Sequence, residues 1–109
     1  MATYRFVKVA FPANDLWDVA YRNGICVGRL RANYNEKVFY LMDENLWTRI
    51  KADSLEELAK KIEQSGFWRS DYDYWNGAYH YYFNTKTGYD HLAYAEKFHP
   101  VVKEVIIEL

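Results

Sequence analysis

The stretch from Leu16 to Ala32 reads LWDVAYRNGICVGRLRA, and it predicts the first unit of the fold. Asn23 and Gly24 stand at its centre and form the dipeptide that most often makes a two-residue type I′ turn between antiparallel strands. β-Branched and aromatic residues recur on both sides of this turn, as they do in half-buried strands. We therefore predict a β-hairpin with strands over 16–22 and 25–32.

The register of this hairpin predicts one apolar face and one charged face. On the charged face Asp18 lies opposite Arg29, and we expect an exposed ion pair worth at most about 1 kcal/mol. The chain's single cysteine then becomes a small core residue, excludes an internal disulfide and suits a reducing compartment. The residues predicted to share the apolar, core-facing side are Trp17, Val19, Tyr21, Cys26, Gly28 and Leu30.

Further strands and one helix flank the hairpin. Apolar and β-branched runs predict strands over 4–11, 38–42, 46–52 and 101–109. Short turns separate several consecutive strands, which favours an antiparallel meander. The last run stays apolar to its end, so we expect it to pair within the sheet.

The segment 54–64 is predicted to be a helix, since it has an N-terminal capping pattern, an apolar stripe at helical spacing and oppositely charged pairs four residues apart. Ser54 followed three residues later by Glu57 is the capping-box pattern. Two glutamates precede lysines at a spacing of four, which stabilises a helix surface. The apolar residues at helical spacing, which must pack on the sheet, are Leu55, Leu58, Ala59 and Ile62.

A second Asn-Gly hairpin is predicted over 67–83, FWRSDYDYWNGAYHYYF, in which nine of the seventeen residues are aromatic. The turn at Asn76 and Gly77 places four tyrosines on one face. Cross-strand packing and a recognition surface are both consistent with such a tyrosine ladder. If the ladder is buried, the other face is the candidate binding site, and its residues are Asp71, Asp73, Trp75, His80 and Tyr82.

Together these patterns predict the α+β class, with a single domain over 1–109. We expect a largely antiparallel sheet of six or seven strands with the helix of about 54–64 packed on one face. The segment 89–98 has mixed preferences, and we interpret it as a short second helix.

Composition and motifs narrow the function. The net charge is −1, from 14 basic and 15 acidic residues, which gives no overall field favouring nucleic acid or an anionic membrane. The three histidines have no metal-ligand spacing, and no cofactor signature is present, so we predict neither a metal site nor a cofactor. With no signal-peptide pattern and no apolar run long enough to span a bilayer, we expect a cytoplasmic protein without a membrane partner.

Three functional hypotheses follow. The first is a non-enzymatic binding protein that docks its aromatic and acidic hairpin on a protein partner, a role that would suit an accessory or inhibitor protein of a phage or mobile element. The second is an RNA or single-stranded nucleic-acid binding module that stacks bases on aromatics and uses Arg22, Arg29 and Arg31 for phosphates. The third is a small metal-independent nuclease or hydrolase using Asp73, His80 and Tyr82.

Overall fold

The computed structural model of the chain describes residues 2–12, 14–42, 48–65 and 99–109. Six strands and one helix lie within these ranges, which confirms the prediction of an antiparallel sheet with a helix on one face. The aromatic hairpin of 67–83 and the predicted second helix of 89–98 lie outside the described residues. The elements are β1 (Thr3–Ala10), β2 (Asp15–Arg22), β3 (Ile25–Ala32), β4 (Phe39–Met42), β5 (Thr48–Ala52), α1 (Leu55–Ser65) and β6 (Val101–Glu108).

The strands form one sheet in the order β5-β4-β3-β2-β1-β6. Every neighbouring pair is antiparallel, and β1 to β5 follow the chain as a meander, as predicted. Strand β6 pairs with β1, which confirms that the C-terminal run belongs to the sheet.

The turn between β2 and β3 has the predicted geometry. Asn23 and Gly24 have φ angles of 50° and 81°, and positive φ at both central residues is the mark of a type I′ turn. The Asn23 side chain also accepts a hydrogen bond from the backbone N–H of Thr3 at 2.9 Å. The turn is thereby fastened to the start of β1.

The predicted face assignment of this hairpin is wrong because β-bulges interrupt both of its sides. The register between β1 and β2 shifts by one residue, so that Lys8 pairs with Trp17 while Val7 pairs with Val19. Asp18 is the extra residue, and an extra residue moves the side chains that precede it to the other face of the sheet. Trp17 therefore packs on the helix-covered face, and Val19 and Tyr21 pack on the opposite face.

A second bulge, between Ala20 and Tyr21, divides the β3 side of the hairpin in the same way. Cys26 belongs to the smaller apolar cluster with Tyr21, whereas Leu30 belongs to the helix-covered core. Gly28 has a φ of +158°, and a Cβ there would lie 2.8 Å from the Met42 carbonyl oxygen. Glycine is therefore required at position 28, because any side chain there would collide with the Met42 carbonyl oxygen of β4.

Helix α1 packs on the sheet through the predicted stripe. Its buried residues are the four expected from the sequence, and its contacts are chiefly with β4 and β5. Ser54 caps the helix, since its Oγ accepts a hydrogen bond from the Glu57 backbone N–H at 3.1 Å. In the described ranges, no helix has the length and apolar character needed to cross a membrane.

The core beneath α1 joins residues from every strand. Tyr4, Phe6 and Leu30 are fully buried there, and the Trp17 and Phe39 rings meet edge to face with centroids 6.0 Å apart. Val105, Ile107 and Leu109 from the C-terminal segment are partly buried against the same core. The helix stripe thus closes one continuous apolar layer.

The helix stripe can be tested at Leu58, which is fully buried. We expect Leu58→Ala to lower the free energy of unfolding by about 2–5 kcal/mol, because it removes buried methyl groups and leaves a cavity. Urea denaturation of the purified variant measures this change. The exposed Lys60 of the same helix serves as control, and Lys60→Ala should have little effect. A loss below 1 kcal/mol at Leu58 would show that the stripe does not form the core.

Candidate functional site

The five residues predicted as a binding face, Asp71, Asp73, Trp75, His80 and Tyr82, lie outside the described residues. Their register and their placement on one face remain predictions from the sequence. The described part of the chain supplies the scaffold, and it contains a charge cluster around a buried aspartate, a second, partly buried charge cluster, and a groove.

The first charge cluster surrounds Asp18, which the sequence predicted to be exposed. Asp18 is instead fully buried at the β2 bulge. Its Oδ1 lies 3.9 Å from Nη2 of Arg29 and 3.8 Å from Nη1 of Arg31. The predicted ion pair between Asp18 and Arg29 is therefore confirmed, but the predicted register is wrong, since Arg29 lies opposite Val19. The predicted surface location is also wrong, because the bulge changes where the carboxylate points.

Arg31 also holds the bulge through the backbone. Its Nη1 donates hydrogen bonds to the carbonyl oxygen of Trp17 at 2.6 Å and to that of Leu30 at 2.9 Å. Burial, followed by the neighbouring Arg29 charge, lowers the pKa of Arg31, and Asp18 opposes this effect. The Arg31 guanidinium thus donates a hydrogen bond to the carbonyl beside the bulge and also pairs with the buried Asp18 carboxylate.

The second charge cluster joins α1 to the sheet through Glu63. Arg22 binds the Glu63 carboxylate at both oxygens, with Nε–Oε1 and Nη2–Oε2 distances of 2.8 and 3.0 Å. The buried Tyr4 hydroxyl donates to the same Oε1 at 2.7 Å. Chiefly because of the Arg22 hydrogen bonds, the pKa of Glu63 is lowered to about 2. Burial and the hydrogen bond to Glu63 raise the pKa of Tyr4.

A groove of about 600 Å³ lies between α1 and β6, within the size range of ligand sites. Its apolar lining comes from the helix-covered face of the sheet and from Leu55 of the helix. Its charged lining has both signs, with Lys60 and Lys103 among carboxylates. The apolar residues that line it from the helix-covered side are Trp17, Phe39, Leu55, Val105, Ile107 and Leu109, and the acidic residues are Glu36, Asp53 and Glu56; Ile106 and Glu108 border it from the other face of β6.

One end of the groove is organised around the Trp17 indole. Lys8 lies over the ring, with Nζ 5.5 Å from its centroid, and it pairs with the Glu36 carboxylate. That pairing lowers the pKa of Glu36, and the nearby indole N–H adds to the effect. The indole N–H is buried and makes no well-formed hydrogen bond within the described part of the chain, although the Glu36 carboxylate lies near it.

Within the described ranges, no three His, Cys, Asp or Glu side chains cluster closely enough to hold a metal ion. Comparison with known proteins adds no assignment: no protein-family model, no curated protein and no solved structure matches the chain.

Sequence reasoning missed both the groove and the Glu63 cluster. Glu63 looks like any charged residue on the outer side of a helix, and only the tertiary fold brings the end of α1 to Tyr4 of β1 and Arg22 of β2. The groove requires knowing that β6 pairs with β1 at an end of the described sheet. One usable signal was present, since the aliphatic residues of 105–109 are too many for a fully solvated edge.

Asp18 offers a test of the buried charge cluster. We expect Asp18→Asn to lower the free energy of unfolding by about 1–3 kcal/mol, because it removes the carboxylate that lies between two partly exposed guanidinium groups. Asp15→Asn is the matched control, since Asp15 is exposed on the same strand and should change stability by less than about 0.5 kcal/mol. Equal effects of the two variants in chemical denaturation would contradict the buried location of Asp18.

Glu63 offers a test that depends on pH. We expect Glu63→Gln to lower the free energy of unfolding by about 1–2 kcal/mol at pH 7, because charged hydrogen bonds to Arg22 and Tyr4 are lost from a partly solvated site. A carboxyl whose pKa falls from 4.5 to about 2 on folding stabilises the protein above pH 4.5. The difference between the variant and the original chain should therefore shrink as the pH falls from 4.5 towards 2.

Denaturation curves at several pH values measure this difference. Glu57→Gln is the control, because Glu57 pairs only with Lys61 on the helix surface at 3.1 Å among the described contacts. Its effect should be a few tenths of a kcal/mol. A Glu63 effect that stays constant down to pH 2 would show that the charged carboxylate does not stabilise the fold.

Proposed function

We propose that the chain is a non-enzymatic protein-binding domain that docks its aromatic hairpin, 67–83, on a protein partner. The contact face in this proposal carries Asp71, Asp73, Trp75, His80 and Tyr82. Tyrosine and tryptophan provide large contact areas with few rotatable bonds, which is why they concentrate at the centres of protein interfaces. An accessory or inhibitor role in a phage or mobile element is a further proposal that rests on composition alone.

The observation that favours a protein partner over nucleic acid is the internal use of the basic residues. Arg22 binds Glu63 through two nitrogens, and Arg29 and Arg31 flank the buried Asp18. A nucleic-acid module needs such arginines available for phosphates. Glu63 offsets the charge of Arg22, and the one Asp18 carboxylate, shared by Arg29 and Arg31, offsets one of their two charges.

The remaining basic residues of the N-terminal third follow the same pattern. Arg5 Nε pairs with Glu104 Oε1 at 2.9 Å, and Lys8 pairs with Glu36. Each of the five basic side chains from residues 1–32 therefore has a carboxylate within ion-pair distance. This arrangement supports the scaffold role of these residues and weakens the nucleic-acid alternative.

The nuclease or hydrolase alternative rests on Asp73, His80 and Tyr82 alone. It differs from the binding proposal in one measurable way, because an acid–base pair must be intact for catalysis, whereas a docking face tolerates the loss of a peripheral group. If His80→Ala abolished cleavage of RNA or DNA by the folded protein, the enzymatic reading would replace the binding one.

The docking proposal is tested at Trp75, next to the predicted turn. A tagged chain first captures its partner from the source cell, and mass spectrometry identifies that partner. We then expect Trp75→Ala to weaken binding by about thirtyfold, roughly 2 kcal/mol, with little change in melting temperature. Isothermal titration calorimetry with the purified partner measures the affinity.

Tyr34 provides a matched aromatic control on another loop, since its side chain is 97% exposed in the turn between β3 and β4. Tyr34→Ala should leave affinity and stability unchanged.

The salt dependence of binding by the unmodified chain distinguishes a protein partner from a nucleic acid. An affinity that falls steeply between about 50 and 200 mM salt would indicate phosphate neutralisation and overturn the protein-partner proposal. Arginine variants serve this purpose poorly, because Arg29 and Arg31 stabilise the fold.

A further inference from the structure

Strand β6 presents an unusual edge. It pairs with β1 on one side, and among the described strands it has no neighbour on the other. Its surface is accessible, with Val101, Val102 and Ile106 exposed by 41%, 46% and 52%. An exposed strand edge carries N–H and C=O groups that can accept a further strand.

The hydrogen bonds at the end of β6 show which backbone groups face outward. Ala2 and Leu109 exchange both of their backbone hydrogen bonds, at 3.3 and 2.9 Å. Because antiparallel ladders alternate, the groups of Val105 and Ile107 face β1 in the same way. The N–H and C=O groups of Glu104, Ile106 and Glu108 therefore point away from the sheet.

A bulge and an inward-pointing charge, two features that discourage edge pairing, lie in the first half of β6. A bulge shifts the register between Lys8 and Val9, opposite 101–103. Lys103 lies opposite Lys8 on the helix-covered face, and an inward-pointing charge is one of the devices that discourage edge pairing. The second half of the strand, 104–108, has a regular register and no inward-pointing charge.

The groove continues this edge toward the helix. Val105, Ile107 and Leu109 form part of its lining, and Leu55, Glu56 and Lys60 of α1 contribute to the rest. A strand added beside β6 would place alternate side chains next to Val105 and Ile107, at the border of this groove, because side chains on neighbouring strands share the same faces. Apolar side chains at those positions would meet apolar walls.

The opposite face of the edge selects for positive charge. Glu104, Ile106 and Glu108 alternate there and are all exposed. Arg5 neutralises part of the Glu104 charge, which leaves Glu108 as the stronger attraction for a cation. An added strand fits best with Lys or Arg opposite the two glutamates and a β-branched residue opposite Ile106.

A second copy of the chain fits this edge less well. Antiparallel self-pairing centred on Ile106 would set Glu104 opposite Glu108 twice, and like charges in direct register are unfavourable. A shift of two residues in either direction would set Ile106 opposite a glutamate. Charge complementarity therefore favours a foreign strand.

We propose that the β6 edge at Glu104–Glu108, with the adjoining groove, binds an extended segment of a protein partner by strand addition. The segment has basic residues at two alternate positions, a β-branched residue between them and apolar residues on its other face. This recognition mode takes affinity from main-chain hydrogen bonds and specificity from alternate side chains. The residues of this proposal differ from those of the aromatic hairpin, and its experiment uses a different ligand, so either proposal can fail without the other.

A synthetic peptide tests the proposal directly. The probe is a fluorescently labelled Thr-Lys-Val-Ile-Val-Lys-Thr peptide, whose symmetric pattern fits in either strand direction. The charge control is Thr-Glu-Val-Ile-Val-Glu-Thr. We expect the lysine peptide to bind in fluorescence anisotropy, and the glutamate peptide to bind at least tenfold more weakly.

Two variants of the full chain locate the binding. Ile106→Pro removes an outward-facing N–H while leaving the ladder with β1 intact, and it should weaken the lysine peptide at least tenfold. Glu108→Lys should weaken it by about fivefold and improve binding of the glutamate peptide. Asp15→Lys makes the same charge change at an exposed position on β2 and should have no effect. Circular dichroism checks the folding of each variant.

Hydrogen exchange supplies an independent readout. The bound lysine peptide should slow exchange at the amides of Glu104, Ile106 and Glu108, while those of Val105 and Ile107 are already protected by β1. The proposal is overturned if the lysine peptide does not bind, or if Glu108→Lys leaves its binding unchanged. Protection at other amides, or a dimer in sedimentation that pairs through β6, would overturn it equally.

Discussion

The bulge at Asp18 is the constraint on which the rest of the sheet depends. One extra residue in β2 places Trp17 on the helix-covered face, and Val19 and Tyr21 on the other. Without it, all three side chains would share one face, and either the core beneath α1 would lose its indole or the opposite cluster would lose its tyrosine. The same residue carries the buried carboxylate that Arg29 and Arg31 surround.

This constraint decides what the charged residues can do. An exposed arginine on a strand can bind any anion. The Arg31 guanidinium, by contrast, donates a hydrogen bond to the Trp17 carbonyl and so holds the backbone at the bulge. Glu63 likewise holds a basic side chain in place, since it binds Arg22 and connects the end of α1 to β1 and β2. Charge in the first third of the chain is therefore mostly structural, and interaction surfaces must be sought where side chains and backbone groups point outward.

Local patterns predicted the local structure well. The Asn23–Gly24 turn, the Ser54 cap and the apolar stripe of α1 each depend on a few adjacent residues, and each was predicted correctly. Faces and burial were harder, because a bulge changes the alternation of a strand without a clear mark in its composition. Asp18 shows the difference. Its ion pair with Arg29 could be predicted from the hairpin, but its burial depends on a register shift between β1 and β2.

The candidate sites also differ in whether they follow from local sequence or from the tertiary fold. The β6 edge arises from strand order, and the groove arises where residues 105–109 and residues 53–60 line the same space above the sheet; no motif encodes either feature. The aromatic hairpin, by contrast, is a purely local prediction from composition and an Asn-Gly turn. Its proposed role in docking stands on side-chain chemistry, while the strand-addition site stands on geometry.

The most direct test of this account is the environment of the Trp17 indole in a nuclear Overhauser experiment. The bulged register predicts cross-peaks from the indole to the Phe39 ring, whose centroid is 6.0 Å away, and to the Lys8 side chain, whose Nζ is 5.5 Å from the indole centroid. An unbulged hairpin would instead place the indole on the face of Tyr21 and Cys26. Cross-peaks to those two residues, with none to Phe39, would contradict the account.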